Sequence, residues 1–159
     1  MNNLGFGMMR LPVISGPTDF DFETLNKMVD AFLDAGFTYF DTSYVYHNGK
    51  SEEATRKALV ERHPRESFTV ATKFPTFMEL PEEKIESTFQ SQLNNLGVDY
   101  IDYYLLHNIQ TVNYDGYDGK GGVAKTRISL TMPKNGKKTE RSAIWEFHSI
   151  LPLNYWTVS

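Results

Sequence analysis

The segment "FTYFDTSYVYHNGKSEEA", residues 37–54, decides the fold, because it contains a strand, a loop and the start of a helix in that order. The part up to Ser43 is rich in aromatic and β-branched side chains, which is typical of a strand. Ser51 is a residue type that caps helices, and Glu52 and Glu53 suit the positive first turn that follows. The segment therefore predicts one β–loop–α unit of an α/β protein.

The same order of elements recurs on both sides of this segment. We predict a strand over 4–12, a helix over 21–35, a helix from Ser51 to just before Pro64, a strand over 67–73, a helix over 81–96 and a strand over 100–107. Asp21 is the expected N-cap of the first helix, and Gly97 is placed to end the third. A strand followed by a helix, three times over, indicates βα units around a parallel sheet.

Three of these strands end in polar residues, Asp41, Lys73 and His107, which are spaced by about one βα unit each. They should lie at the carboxyl ends of three consecutive parallel strands. That face carries the chemistry in a (β/α)₈ barrel, and it faces the ligand crevice in a doubly wound sheet. The placement alone leaves both folds open. The "GFG" at Gly5 is not the G-x-G-x-x-G of a dinucleotide-binding Rossmann unit, which counts against that fold.

Composition narrows the functional class. The chain has 159 residues, a net charge of −4 and no cysteine, so disulfide frameworks, thiol catalysis and thiolate metal sites are excluded. The sequence shows no signal peptide, which would be a basic stretch followed by an apolar one at the N-terminus. It also contains no apolar run of the roughly 20 residues that a membrane-spanning helix needs. We therefore expect a cytoplasmic protein with no membrane partner.

Charge is unevenly distributed along the chain. Residues 1–124 are acidic overall, whereas residues 125–159 are basic and contain both tryptophans. The basic residues of the tail are scattered and form no stripe, and the acidic body offers nothing to a phosphate backbone. We predict no nucleic-acid partner.

The chain resembles the aldo-keto reductases in the pieces "LGFGMMRLP" (4–12), "FDTSYVYHNGKSE" (40–52), "ATKFP" (71–75) and "YYLLHN" (103–108). The second piece is the most specific, because Asp, then Tyr five residues on, then Gly-x-Ser-Glu at a helix start is close to the family signature. The resemblance extends from residue 4 to about 125. It implies a partial (β/α)₈ TIM barrel, with residues 1–125 as its N-terminal half containing the first four strands and three helices.

The resemblance also implies NADPH-dependent reduction of an aldehyde or ketone to an alcohol. Tyr46 would be the general acid that protonates the carbonyl oxygen of a small substrate. Lys73 would place a cation beside the phenol and stabilise its deprotonated form, and Asp41 would hold Lys73 by charge pairing. His107 would orient the substrate oxygen. The hydride would come from the cofactor.

Family positions that contact the cofactor correspond to Gly7 and Met8 at the end of the first strand, together with Asp41. Tyr44 and His47 flank Tyr46, and we interpret Tyr44 as a packing residue and His47 as lining the substrate loop. The Asp- and Gly-rich loop 113–122 is interpreted as a lid or substrate loop. It lacks the Glu of a calcium loop, so we predict no metal.

A complete barrel needs about 250 residues, and its phosphate-binding loops usually follow strands seven and eight. Those strands are not recognisable here, so we expect the phosphate-binding part of the NADPH site to be missing. Two functions stay open at this point. The first is an aldo-keto reductase that is impaired or inactive at this length, and the second is a non-catalytic truncated fragment. The fragment would self-associate through exposed strand edges.

Residues 126–159 depart from the family pattern and match it better in a shifted reading frame. In the shifted frame, each new codon consists of the last base of one present codon and the first two bases of the next. In that frame Met132-Pro133 becomes Ala, Trp145-Glu146 becomes Gly and Trp156-Thr157 becomes Asp. The shifted tail can then encode the helix–strand–helix pattern that family members have at this point. We interpret 126–159 as an out-of-frame, irregular tail that forms no domain of its own.

This interpretation predicts that the gene contains a long alternative frame downstream of the codon for Thr126, encoding the rest of a barrel. One base lost, or two gained, near that codon would produce the present tail. Sequencing the genomic DNA and the transcript tests the prediction. A downstream region with no such frame would contradict it.

Overall fold

The computed structural model describes residues 4–78 and 80–108. Within them the strands are β1 (Gly5–Gly7), β2 (Val13–Ser15), β3 (Asp19–Phe20), β4 (Tyr39–Asp41), β5 (Thr69–Phe74) and β6 (Tyr103–Leu106). The α-helices are α1 (Phe22–Asp34), α2 (Ser51–Thr55) and α3 (Ile85–Leu96). Shorter helical turns occupy Tyr46–Gly49, Arg56–Val60, Arg65–Ser67, Thr76–Met78 and Glu82–Lys84.

The described strands include a four-stranded parallel sheet in the order β1-β4-β5-β6. Phe40 of β4 lies opposite Phe6 of β1 on one side and Val70 of β5 on the other. Each new strand is added beside the previous one, so the described sheet has no reversal of strand order. A doubly wound sheet binds its ligand at such a reversal. The observed order is therefore that of a barrel.

Two of the predicted helix boundaries are confirmed. Asp21 caps α1, because its carboxylate accepts a hydrogen bond from the Thr24 amide at 3.0 Å. Gly97 ends α3 in the left-handed conformation with φ of 68°. A Cβ at this glycine would also lie 2.8 Å from the Arg56 side chain, which would have to shift, but it is the left-handed backbone that favours glycine here.

The predicted N-cap of the second helix is wrong. Ser51 lies inside α2 and is fully buried, and its hydroxyl donates to the Met8 carbonyl oxygen at 2.9 Å. The serine is used to join the helix to the end of β1 rather than to cap the helix. The helix continues as a π-helical turn over Arg56–Val60 and ends before Pro64, as predicted.

The first strand is shorter than predicted, because the chain turns after Gly7 and forms an antiparallel hairpin from β2 and β3. The hairpin turns through Gly16, whose φ is 68°, and the Ser15 hydroxyl donates to the Asp19 carboxylate at 2.7 Å. Strands of two and three residues are too short to show a hydrophobic period. The sequence pattern therefore gave no sign of this hairpin.

Alternation along the strands separates the hydrophobic core from the predicted site. Phe40, Val70 and Phe74 point toward the helices and are fully buried in the core. Asp41 and Lys73 point to the opposite face, because neighbouring residues of a strand face opposite sides of the sheet. Packing on one face therefore fixes which polar groups meet on the other.

A buried carboxylate connects α2 to β5 and α3 on the helix side of the sheet. Glu52 is fully buried, and its oxygens accept hydrogen bonds from Thr72 at 2.6 Å, Gln92 at 2.8 Å and Asn95 at 3.1 Å. The Tyr104 hydroxyl donates to the Gln92 carbonyl at 2.5 Å and extends the network. Burial raises the pKa of the Glu52 carboxyl above its usual value, although the three hydrogen bonds oppose this.

The raised pKa makes the stability of the fold depend on pH. A carboxyl with a higher pKa in the folded state contributes stability below its unfolded pKa and loses that contribution as pH rises through the folded value. Relative to Glu52→Gln, the parent's free energy of unfolding should therefore decline as pH rises above about 4. Urea unfolding across the pH range measures it.

Glu53→Gln is the matched control, because Glu53 lies next along the same helix and pairs with Lys50 at an exposed position. An exposed ion pair contributes little to stability. The difference in free energy of unfolding between the parent and Glu53→Gln should show no comparable dependence on pH. A parallel slope in both variants would contradict the assignment of the effect to Glu52.

Candidate active site

An ammonium–carboxylate pair lies at the carboxyl ends of β4 and β5. The Lys73 Nζ donates to the Asp41 carboxylate and, at 2.7 Å, to the Thr42 carbonyl oxygen. The Lys73 side chain is 12% exposed. A mostly buried ammonium requires such partners, so its position is closely constrained.

Tyr46 lies beside this pair. The chain leaves β4 through a turn in which the Tyr46 amide donates to the Ser43 carbonyl oxygen at 3.2 Å. The Lys73 Nζ is 4.9 Å from the centroid of the Tyr46 ring. The His107 ring also packs edge-on against Tyr46, with 5.6 Å between the ring centroids and the rings at 89°. The structure thus brings Asp41, Lys73, Tyr46 and His107 together.

The environment of His107 favours its neutral form. Burial and then the Lys73 ammonium lower the pKa of the imidazole below its usual value, while the Asp41 carboxylate acts in the opposite direction. The Nδ1 atom is hydrogen-bonded to the Ser43 hydroxyl at 2.9 Å, and the Phe77 ring packs edge-on at 5.4 Å. These contacts hold the ring in one orientation, and among residues 4–78 and 80–108 they leave Nε2 without a hydrogen-bond partner.

The end of β1 contributes one of its two predicted residues to this face. Gly7 is in register with Asp41, and a Cβ placed on Gly7 would meet nothing within 4 Å among the residues that the structure describes. A flat group such as a nicotinamide ring fits against this bare stretch of backbone, so the residues present are compatible with the predicted cofactor. Met9, two residues on, is 58% exposed.

Met8 does not present its side chain to the site. That side chain is fully buried in the hydrophobic core, the Met8 amide donates to the Asp41 carbonyl oxygen at 2.8 Å, and the Met8 carbonyl accepts from Ser51. Met8 alternates with Gly7 along the chain and therefore faces the helices. The Met8 side chain is thus part of the core, so only the backbone of Met8 could line the nicotinamide pocket, and that expectation stays a prediction.

Two residues that position the site were not singled out from the sequence. The Thr42 hydroxyl donates to the Ser51 hydroxyl at 3.0 Å, which in turn donates to Met8, so the ends of β4, α2 and β1 are joined by buried hydrogen bonds. Ser43 is fully buried and holds His107. The sequence feature that could have identified them is that two hydroxyl residues directly follow the aspartate that ends β4.

The neighbours of Tyr46 differ in their contacts. Tyr44 is half-buried. His47 was expected to line the substrate loop, but its ring bonds to the segment around the hairpin instead. The Leu11 amide donates to Nε2 at 3.1 Å, and Nδ1 donates to the Pro17 carbonyl oxygen at 2.7 Å. Both ring nitrogens are therefore occupied.

The predicted lid at 113–122 and the tail at 126–159 lie outside the described residues. Across 4–78 and 80–108, no group of three or more His, Asp or Glu side chains could hold a metal ion. The helices in this part of the chain are all too short or too polar to span a membrane.

The parallel sheet and its helices define an α/β-barrel protein. The polar cluster lies at the carboxyl edge of the sheet, the face that carries the chemistry in enzymes with this fold. The model of the aldo/keto reductase family matches residues 3–145. The chain therefore belongs to the aldo/keto reductase family. The match continues beyond residue 126, into the tail whose reading frame we predict to be shifted, and that frame stays a prediction.

Two of the similar proteins come from plants. The chain is 34% identical over 119 residues to a probable aldo-keto reductase 1 of Glycine max, covering 70% of this chain and 34% of that protein. It is 30% identical over 158 residues to the L-galactose dehydrogenase of Arabidopsis thaliana, covering 97% of this chain and 46% of that protein. The chain thus spans less than half the length of these relatives.

A solved structure shows the shared fold. The aldo-keto reductase from Klebsiella pneumoniae, crystallised in complex with NADPH, superposes with a TM-score of 0.61 at 19% identity, covering 90% of this chain and 44% of that one. The predicted fold class, a partial (β/α)₈ barrel with its first four strands and three helices, is confirmed for the described residues.

The lowered pKa of His107 can be measured by NMR. The imidazole C2-proton signal that is missing from the spectrum of His107→Asn belongs to His107. In the parent protein this signal should titrate with a midpoint below the usual 6.5. In Lys73→Met the midpoint should move upward, because a nearby positive charge is removed and the Asp41 carboxylate is left unpaired. A parent midpoint at or above 6.5 would show that the described environment of this ring is wrong.

Proposed function

We propose that this protein is an NADPH-dependent oxidoreductase that reduces a small aldehyde or ketone to an alcohol. The observation that carries the proposal is that the Tyr46 ring lies close to both the Lys73 ammonium and the His107 ring. The family membership and the NADPH bound to the Klebsiella pneumoniae relative support it. The cytoplasm remains the expected compartment.

In this proposal the Tyr46 hydroxyl gives its proton to the carbonyl oxygen, and the resulting phenolate regains a proton from solvent. The Lys73 ammonium stabilises the negative charge that develops on the phenol oxygen. Asp41 and the Thr42 carbonyl hold that ammonium in place. Because the pair is formed before substrate arrives, little reorganisation is needed during proton transfer.

His107 would orient the substrate. Its lowered pKa keeps the ring neutral near pH 7, so Nε2 can form a hydrogen bond to the substrate oxygen without adding a second cation beside Lys73. This role requires the tautomer with hydrogen on Nε2, in which Nδ1 accepts from the Ser43 hydroxyl. Ser43 would thereby set both the tautomer and the direction of the ring.

NADPH, when bound, supplies the hydride to the carbonyl carbon. The bare backbone at Gly7 and the Asp41 side chain would face its nicotinamide end. The phosphate-binding loops implied by the resemblance, after strands seven and eight, are not among the described residues.

A second candidate is a non-catalytic fragment that self-associates. Within the described residues β1 pairs with one strand, β4, so its other edge is available for pairing. Leu4, Met9 and Ile14, around β1 and the hairpin, are more than half exposed. Apolar side chains beside a strand edge favour association between copies.

One pair of measurements separates the two candidates. NADPH is titrated into the purified chain while nicotinamide fluorescence is followed, and the mass in solution is measured by sedimentation with and without NADPH. Saturable binding with a Kd below about 1 mM, a modest affinity, supports the oxidoreductase. A large assembly with no saturable binding supports the fragment.

Tyr46→Phe should lower kcat for NADPH-linked aldehyde reduction by about 100-fold or more, because positioned general acids contribute roughly this factor. The assay follows NADPH absorbance with a small aromatic aldehyde, in this chain or in a full barrel rebuilt around it. Tyr44→Phe removes the same hydroxyl two residues away and should retain activity. Equal kcat in Tyr46→Phe and the parent would overturn the proton-donor assignment.

A further inference from the structure

The turn that follows Tyr46 has a costly backbone conformation. His47 has φ of 51° and ψ of 48°, Asn48 has φ of 54° and ψ of 37°, and Gly49 has φ of 80°. Three consecutive residues thus lie in the left-handed region, which side chains other than glycine rarely adopt. Such a conformation persists only where the surrounding structure imposes it.

The His47 side chain supplies that constraint. Its Nε2 accepts from the Leu11 amide at 3.1 Å, and its Nδ1 donates to the Pro17 carbonyl oxygen at 2.7 Å. The Phe20 ring packs edge-on at 5.1 Å. Two backbone groups of opposite kind are bound by one ring, so the ring is held in the neutral tautomer with its hydrogen on Nδ1.

We propose that His47 is a positioning residue for Tyr46, which it holds in place by tying the left-handed turn to the segment that carries the hairpin. The proposal rests on the proposed function, because positioning matters only if Tyr46 takes part in the reaction. Leu11, one of the residues bound by His47, is itself buried in the core. The His47 ring therefore links Leu11, in the core, to the backbone turn that begins directly after Tyr46.

The geometry gives this connection a role beyond local stability. Tyr46 is adjacent in sequence to His47, and its ring must stay near both the Lys73 ammonium and the His107 ring. If the turn relaxed to ordinary backbone angles, the chain direction at Tyr46 would change and the phenol would move. A misplacement of about 1 Å can cost about 100-fold in rate.

The first test does not depend on activity. The chain contains four histidines, and ¹⁵N-labelled imidazole spectra report the tautomer of each. The signal that disappears in His47→Gly should show hydrogen on Nδ1 in the parent. In His47→Gly, the ring signals of His107 should shift, because the edge-on Tyr46 ring beside it moves.

Two further variants serve as controls. His63→Asn removes a histidine whose ring pairs with Asp30, in a different part of the molecule. This variant should leave the His107 signals in place. His47→Asn keeps a short side-chain donor toward Pro17, which glycine lacks, and both residues tolerate the left-handed backbone, so Asn should give a smaller shift than glycine. Unchanged His107 signals in folded His47→Gly, or the other tautomer in the parent, would overturn the proposal.

The second test measures the reaction. With NADPH and an aldehyde, His47→Gly should lower kcat by about 10- to 100-fold and change the KM for NADPH much less, with His47→Asn in between. Loss of stability alone would leave kcat of the folded enzyme unchanged, and that result would contradict positioning. If the parent shows no turnover, the proposed function fails for this chain, while the spectra still decide whether His47 holds Tyr46.

Discussion

The pairing of the Lys73 ammonium with the Asp41 carboxylate is the interaction on which the rest of the site depends. A mostly buried cation is tolerated only when it is paired and hydrogen-bonded, and removing one partner leaves an uncompensated charge. The pair forms only if β4 and β5 lie side by side in the observed parallel register. The Thr42 carbonyl oxygen then completes the partners of the ammonium and fixes the start of the loop that leads to Tyr46.

That register is secured from the opposite face of the same strand. Thr72, the neighbour of Lys73 in β5, donates to the buried Glu52, and Gln92 donates both to Glu52 and to the Lys73 carbonyl oxygen at 3.2 Å. One strand thus carries a buried acidic network toward the helices and a cation toward the site. The two networks are coupled through backbone, since any sliding of β5 would disrupt both.

Much of this arrangement could be predicted from the sequence, because two periodicities identify the elements and parallel strands bring their carboxyl ends together. Asp41, Lys73 and His107 were identified by their positions at strand ends, and Tyr46 by the family resemblance. What could not be predicted depends on single contacts. The hairpin is too short to show a period, Ser51 suits a helix cap and a buried tie equally well, and the side of the sheet that Met8 faces depends on where β1 ends.

The two glycines of β1, Gly5 and Gly7, differ in the space that the surrounding protein leaves for a side chain. At Gly5 a Cβ would lie 2.9 Å from the Tyr39 ring, so the protein's own packing excludes a larger residue there. At Gly7 nothing among the described residues lies within 4 Å of such an atom. Packing therefore constrains position 5, whereas the described part of the fold sets no steric limit at position 7. In evolution or in a designed library, selection for stability alone would keep glycine at position 5 and would leave position 7 free to drift.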